Sequence, residues 1–303
     1  MRMFKILVLV IVVVICILAV AGAYFSGTIF SKMPKTVSSK DVPVISLPSI
    51  ERIKIQLLRH ATCMLIVGDK MILLDPMLSE AGTMPPVPLT SNRIKNPLIP
   101  LPAKAESLVK NIDAVLITHC HFDHFDKAAE NLIPKGMLIF CQPGDEKKLN
   151  EKGFKNVRVI DREAEWAGIR FKRFPAHHAE GSLLLNMMGA SSSYLLQASG
   201  ASLLITGDSI TDTMLIDSLK ASNPDVILAY AGSAQMLWGK PITLTGGSLK
   251  DISRISARSK IVAVHMDAIN HCRLSKSELR EFIIKEKLGT VLAVPDEGEV
   301  CAF

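Results

Sequence analysis

At 303 residues, with 49% apolar and 21% charged side chains, the chain has the composition of a globular protein with a substantial core, which excludes a disordered polymer. The net charge of +6, from 35 basic and 29 acidic residues, comes with only 5% aromatics, so the interleaved basic and stacking platform of single-strand nucleic-acid binders is missing. The surplus implies a mild affinity for anionic surfaces or substrates and no more.

Met1-Arg2-Met3-Phe4-Lys5 precedes Ile6 to Phe25, a run without a charged residue. Such a run, at about 1.5 Å per residue, spans about 30 Å, the hydrocarbon thickness of a bilayer. Residues 1–26 are therefore expected to anchor the chain through residues 6–25. A secretory signal cleaved near Ala23, in Ala21-Gly22-Ala23, is the alternative. Arg2 and Lys5 favour a cytoplasmic start and a domain outside the cytoplasm, although Lys32, Lys35 and Lys40 follow closely on the other side. Residues 27–49, rich in Ser, Lys and Pro, read as a linker, and 50–303 as one domain.

Within that domain Ile53 to Leu57 alternates as a half-exposed strand. Thr62 to Val67 and Met71 to Leu74 flank Gly68-Asp69-Lys70 and close on Asp75-Pro76, a hairpin pattern. Further strands are expected at 113–118, 137–141, 156–160, 169–174, 225–230 and 260–265. Helices are expected at 103–110, 126–132, 144–152, 212–220 and 249–257, and a last one opens on Ser275-x-x-Glu278, a capping-box pattern. A second hairpin repeats the first: Ser191 to Gln197 and Ser202 to Thr206 flank Ser199-Gly200-Ala201 and end at Gly207-Asp208. Strands interleaved with helices imply an α/β protein, and two hairpins of one design suggest a sandwich of similar halves.

The densest chemistry lies in Thr118-His119-Cys120-His121-Phe122-Asp123-His124, after the apolar run Ala114 to Ile117. Residues two apart on an extended segment point to one side, so His119 and His121 are expected to aim at one point, and Asp123 with His124 at a second after the chain turns. Imidazole nitrogen and carboxylate oxygen are ligands that zinc and similar cations prefer. Cys120 alternates with the histidines and is expected to pack away from them. The six cysteines contain no CxxC pair, so they form neither a disulfide framework nor a second zinc motif.

His-x-His-x-Asp-His after a strand resembles the hallmark of the metallo-β-lactamase superfamily. The resemblance implies an αβ/βα four-layer sandwich with the site along the joint edge of two sheets. It also implies the rest of a two-cation ligand set. His119, His121 and His178 would hold one ion, with His178 favoured over His177 in Pro175-Ala176-His177-His178. Asp123, His124 and His265 would hold the other, with His271 as competitor to His265, and Asp208 would bridge them. Two divalent ions, zinc or else manganese or iron, lower the pKa of bound water to about 7 for zinc, so the expected chemistry is hydrolysis by hydroxide, with Asp123 as the catalytic carboxylate. Di-iron redox relatives usually carry Glu where His121 stands.

Arg59-His60-Ala61-Thr62, Leu73-Leu74-Asp75-Pro76 and Val264-His265-Met266-Asp267 resemble the branch with ascorbate-6-phosphate lactonase and N-acylphosphatidylethanolamine phospholipase D-like enzymes. This branch points to an ester, lactone or phosphodiester in a small or lipid-like substrate. Arg93 on the long loop 81–102, Tyr230 and the Asn270-His271 pair are the candidate substrate contacts; His60 lacks a matching motif and is left to a supporting place. An RNA nuclease of the same fold, or a membrane-tethered metal-binding module without turnover, are the alternatives. No nucleic-acid partner is expected, because no RNA-gripping insertion or strongly basic face is legible.

Overall fold

The computed structural model of the protein describes residues 52–303. The expected anchor at 1–26 and linker at 27–49 lie outside the described residues, among which no helix is long and apolar enough to cross a membrane. The first half runs β1 (Ile53–Arg59), β2 (Thr62–Val67), β3 (Lys70–Leu74), α1 (Ala105–Leu108), β4 (Ala114–Leu116), α2 (Lys127–Leu132), β5 (Ile139–Cys141), α3 (Asp145–Glu151) and β6 (Val157–Val159). The second runs β7 (Glu163–Trp166), β8 (Ile169–His177), α4 (Ser182–Met188), β9 (Ala190–Ala198), β10 (Ala201–Ile205), α5 (Thr213–Ser222), β11 (Val226–Tyr230), α6 (Gly246–Ile255), β12 (Lys260–Val264), α7 (Lys276–Glu286), β13 (Leu292–Ala293) and β14 (Val300–Ala302).

These strands form two seven-stranded sheets, ordered β14-β1-β2-β3-β4-β5-β6 and β13-β12-β11-β10-β9-β8-β7. Each is mixed in the same way: three antiparallel pairings, then three parallel ones. Alternation along the strands sorts side chains into layers. Ile55, Leu65, Leu116, Leu196, Ile205, Leu228 and Val262 meet in the core between the sheets. Their neighbours turn outward: Leu73, Val115 and Ile139 pack on Ala129 and Leu149 of the first half's helices, and Leu204, Ile227 and Ile261 on Leu219, Ile252 and Leu279 of the second half's. The result is helix, sheet, sheet, helix. Local chemistry agrees with it: Asp126, Asp212 and Thr245 cap their helices, and Ser275 with Glu278 forms the expected capping box.

Four elements were not legible in the pattern. β7 alternates as Glu-Ala-Glu-Trp, too short and too charged to stand out, and pairs with β8. α4 is a two-turn helix between Gly181 and Gly189. β13 and β14 are edge strands of two and three residues, specified by their partners β12 and β1 rather than by composition. The helix expected at 103–110 shrinks to the single turn of α1.

Candidate metal centre

Parallel strands of both sheets deliver their carboxyl ends to one edge, where loops carry function. β3 ends at Asp75, β4 leads into the histidine-rich turn, β8 into His178, β10 into Asp208 and β12 into His265. Two glycines permit the close approach. A Cβ on Gly207 would lie 2.4 Å from the Ser192 carbonyl oxygen, and one on Gly232 would lie 2.1 Å from that of His265.

The candidate ligand atoms converge. His119 Nε2 is 2.9 Å from His121 Nδ1, and His178 Nε2 is 3.0 Å from Asp208 Oδ2. His124 Nε2 is 3.4 Å from Asp208 Oδ2, 3.7 Å from Asp123 Oδ2 and 3.4 Å from His265 Nε2. His265 Nε2 is 3.1 Å from Asp208 Oδ1. Three groups have ligand atoms mutually within 4.8 Å: His119, His121 and His178; His119, His124 and Asp208; and His60, Asp123, His124 and His265. Donors about 2.0–2.1 Å from a tetrahedral cation sit about 3.4 Å apart, which is the spacing of several of these pairs.

The outward ring nitrogens are engaged elsewhere. His121 Nε2–H donates to the Met188 carbonyl at 2.8 Å, His178 Nδ1–H to the Ile242 carbonyl at 2.9 Å and His124 Nδ1–H to Asp75 Oδ2 at 2.8 Å. His119 Nδ1 meets Thr118 Oγ1 at 3.1 Å, and His265 Nδ1 lies 3.8 Å from Cys272 Sγ. Each ring therefore turns its other nitrogen inward, the arrangement that orients metal-binding histidines.

Burial pushes the imidazoles toward neutrality. His119 follows it well below the usual range and His121 is lowered too, reinforced by His124 and His178 respectively. His124 goes the other way: against burial, Asp208, Asp123 and Asp75 hold its imidazolium well above the usual range, and Asp208 raises His178 against the same penalty. Burial also opposes charge on Asp208 and Asp123, yet both are held well below the carboxylate range, by His265 and His124 in the first case and by His124 and His60 in the second. Buried carboxylates facing imidazoles demand positive charge. Protons on His124 and His178 meet that demand, and cations would meet it by displacing them. Asp208 Oδ1 is buried and receives no directed hydrogen bond. A carboxylate oxygen without a hydrogen bond inside a ring of imidazole nitrogens fits a divalent cation.

The remaining expected residues take different places. His177 turns away, its Nδ1 2.6 Å from Asp212 Oδ2. Cys120 packs with the first half's helix-facing core. Tyr230 corrects its expected role as a substrate contact: it is fully buried, and its hydroxyl donates to Asp75 Oδ2 at 2.8 Å. His271 is buried near enough to influence Asp123 but belongs to none of the three groups, and burial pushes it down to about 4. Arg93 is exposed on loop 81–102, also outside the groups. Asn270 pins that loop by accepting from Val87 N–H and Asn96 Nδ2 and donating to Thr90 Oγ1 and the Asn92 carbonyl. Asp75 was missed as part of the site, although the repeated hairpin ending singled it out as it did Asp208; His60, left to a supporting place, lies 3.3 Å from Asp123 Oδ2 through its Nε2.

Beside His119 and His121 opens a cleft of about 180 Å³, walled by Gln142, Lys148 and Met188. Large apolar side chains stand exposed at Phe122, next to His121, at Leu183 and Met187 of α4, whose last residue Met188 walls the cleft, and at Trp238.

Residues 70–266 match the beta-lactamase superfamily domain. The chain is also 32% identical over 249 residues to UPF0173 protein YddR of Bacillus subtilis, covering 81% of this chain and 98% of that protein. The chain belongs to the metallo-β-lactamase superfamily. Two solved members share the fold over nearly their whole lengths. A possible metal-dependent hydrolase from Veillonella parvula has TM-score 0.80 and 28% identity, covering 82% of this chain and 99% of that one. The isothiocyanate hydrolase from Delia radicum gut bacteria has TM-score 0.79 and 29% identity, with the same coverage. This superfamily member is a metal-dependent hydrolase of the metallo-β-lactamase fold.

Proposed function

We propose that the protein is a dinuclear hydrolase in which His119, His121 and His178 hold one divalent cation, Asp123, His124 and His265 the other, and Asp208 both. The observation that carries this reading is the convergence of six ligand-type side chains around a seventh, the buried carboxylate of Asp208, whose Oδ1 lacks a hydrogen-bond donor. Zinc suits such a mixed nitrogen and oxygen set, as manganese or iron also would. Bound there, the cations would supply ionised water at neutral pH and polarise the substrate oxygen. Asp123, ionised and at the second position, orients the attacking water.

The substrate is an ester, lactone or phosphodiester of a small or lipid-like molecule. Support for an apolar portion comes from exposed Phe122, which follows His121 in the chain, and exposed Met187, which precedes the cleft-lining Met188. A membrane anchor at residues 6–25 would keep such a substrate close, with the hydrolase domain outside the cytoplasm. The test is metal analysis of the purified full-length chain together with turnover of lactones, phosphodiesters, N-acylphospholipids and isothiocyanates, the last because of the relative so named. About two transition ions per chain and turnover lost in Asp123→Ala are expected. Two ions without turnover of any substrate would favour the binding module, and structured RNA cleaved faster than every small ester would favour the nuclease.

A further inference from the structure

We propose that His60 is a positioning residue of this centre, a clasp that holds Asp123 and His265 in register across the two sheets. The proposal rests on the dinuclear reading above and extends it to a residue outside the seven-membered set.

His60 sits in the tight turn between β1 and β2, at the end of the first sheet's hairpin, and His265 follows β12 of the second sheet. Three contacts join them to Asp123. The His265 N–H donates to the His60 carbonyl at 2.9 Å. The two rings lie face against face, with centroids 3.7 Å apart and planes 38° from parallel. His60 Nε2 reaches Asp123 Oδ2 at 3.3 Å. Both histidines adopt left-handed backbone, φ 58° at His60 and 72° at His265, a conformation uncommon outside glycine. Such residues persist where the surroundings over-determine them, and they gather at functional sites. Arg59, buried beside His60, fixes the turn by donating to the carbonyls of Met77 at 2.5 Å, Ser79 at 2.9 Å and Ile99 at 3.2 Å.

A ring nitrogen of His60 lies within 4.8 Å of ligand atoms of Asp123, His124 and His265, close enough for direct ligation. The five candidate ligand histidines each anchor one ring nitrogen outside the centre and turn the other inward. His60 does not: its Nδ1 is buried without a partner, and its Nε2 faces a carboxylate, which can only accept. The proton therefore belongs on Nε2, the nitrogen that a cation would need bare. His60 orients a ligand rather than acting as one.

The experiment loads the full-length protein with zinc and follows its removal by a competing chelator, in wild type and in His60→Ala, His60→Asn and His60→Gln, with melting temperatures alongside. Glutamine presents an N–H where Nε2 stood; asparagine presents one where Nδ1 stood. Expected are a drop of about 10–100-fold in the affinity of one of the two zinc ions in the alanine and asparagine variants, the other ion holding as in wild type, and recovery in the glutamine variant. Unchanged affinities in His60→Ala, even with a lower melting temperature, would overturn the proposal in favour of a merely structural ring. A glutamine variant as weak as alanine would overturn it in favour of direct ligation. Wild-type protein that takes up no zinc would overturn the dinuclear centre itself, and the clasp with it.

Discussion

Asp75 and Asp208 each follow a hairpin whose second strand hands on to a parallel neighbour, Asp75 directly after β3 and Asp208 two residues beyond Thr206, the position that matches Asp75 in the second half. Both meet His124, but their hydrogen bonding differs. Asp75 is saturated: Oδ1 accepts from the Thr118 N–H at 2.7 Å, and Oδ2 from the Thr118 hydroxyl at 2.7 Å, His124 Nδ1–H at 2.8 Å and the Tyr230 hydroxyl at 2.8 Å. Asp208 instead faces imidazoles, with Oδ1 unsatisfied. Each half thus carries a buried carboxylate after its hairpin: Asp75 pegs the histidine-rich turn, and Asp208 sits in a His/Asp cluster that could bind metal.

That contrast can be broken, beginning with the largest effect. Asp208→Ala is expected to release both ions and abolish turnover while the circular dichroism spectrum stays native, since the sheets are packed elsewhere; metal analysis of the purified variant checks this. Asp75→Ala should act mainly on the fold. It strands donors from Thr118, His124 and Tyr230, at a cost of about 3–5 kcal/mol in urea unfolding of chelator-treated protein. Equal unfolding losses in the two variants would erase the distinction.

A pH series tests the charge pattern. In the unfolded chain His60, His119, His121, His124, His178 and His271 titrate together near about 6.5. In the folded chain His124 and His178 are raised, while His60, His119, His121 and His271 are lowered, the first to about 3 and the last to about 4. Below about 6.5 the unfolded chain binds more protons, so stability rises with pH; above it the folded chain keeps two protons that the unfolded one has lost, so stability falls. Melting temperatures of chelator-treated protein should therefore peak a little above about pH 6.5. The depressed Asp123 and Asp208 add a further loss below about pH 4. Zinc, by displacing the two protons, should remove the alkaline decline.

Smaller effects sharpen the same comparison. Tyr230→Phe deletes one of the donors to Asp75 and should cost about 2 kcal/mol in the same unfolding assay. Cys120→Ser should leave metal content unchanged, because its side chain packs with the helix-facing core; zinc loss there would mean that the turn faces otherwise.

Much of this was legible before any fold was known. Alternation in Ala114 to Ile117 and Leu203 to Thr206 sorts neighbours into opposite layers, and the His119 to His124 turn concentrates four ligand-type side chains within six residues. Both kinds of signal are local, set by backbone period and by spacing. Tyr230 was misread because a strand-end tyrosine looks the same whether its hydroxyl meets substrate or a buried Asp75. Asn270 and His60 were opaque for a related reason: their partners, in loop 81–102 and at Asp123 and His265, are remote in sequence.

The sequence by itself determined the layered α/β architecture, the paired hairpins and a cation-seeking turn, since periodicity and clustered donors act over a few residues. Only the tertiary structure decided which of the two hairpin-following aspartates was left unsatisfied and which histidine leaned on which. Those outcomes depend on what the opposite sheet brings within about 3–4 Å, a distance that no order along the chain encodes.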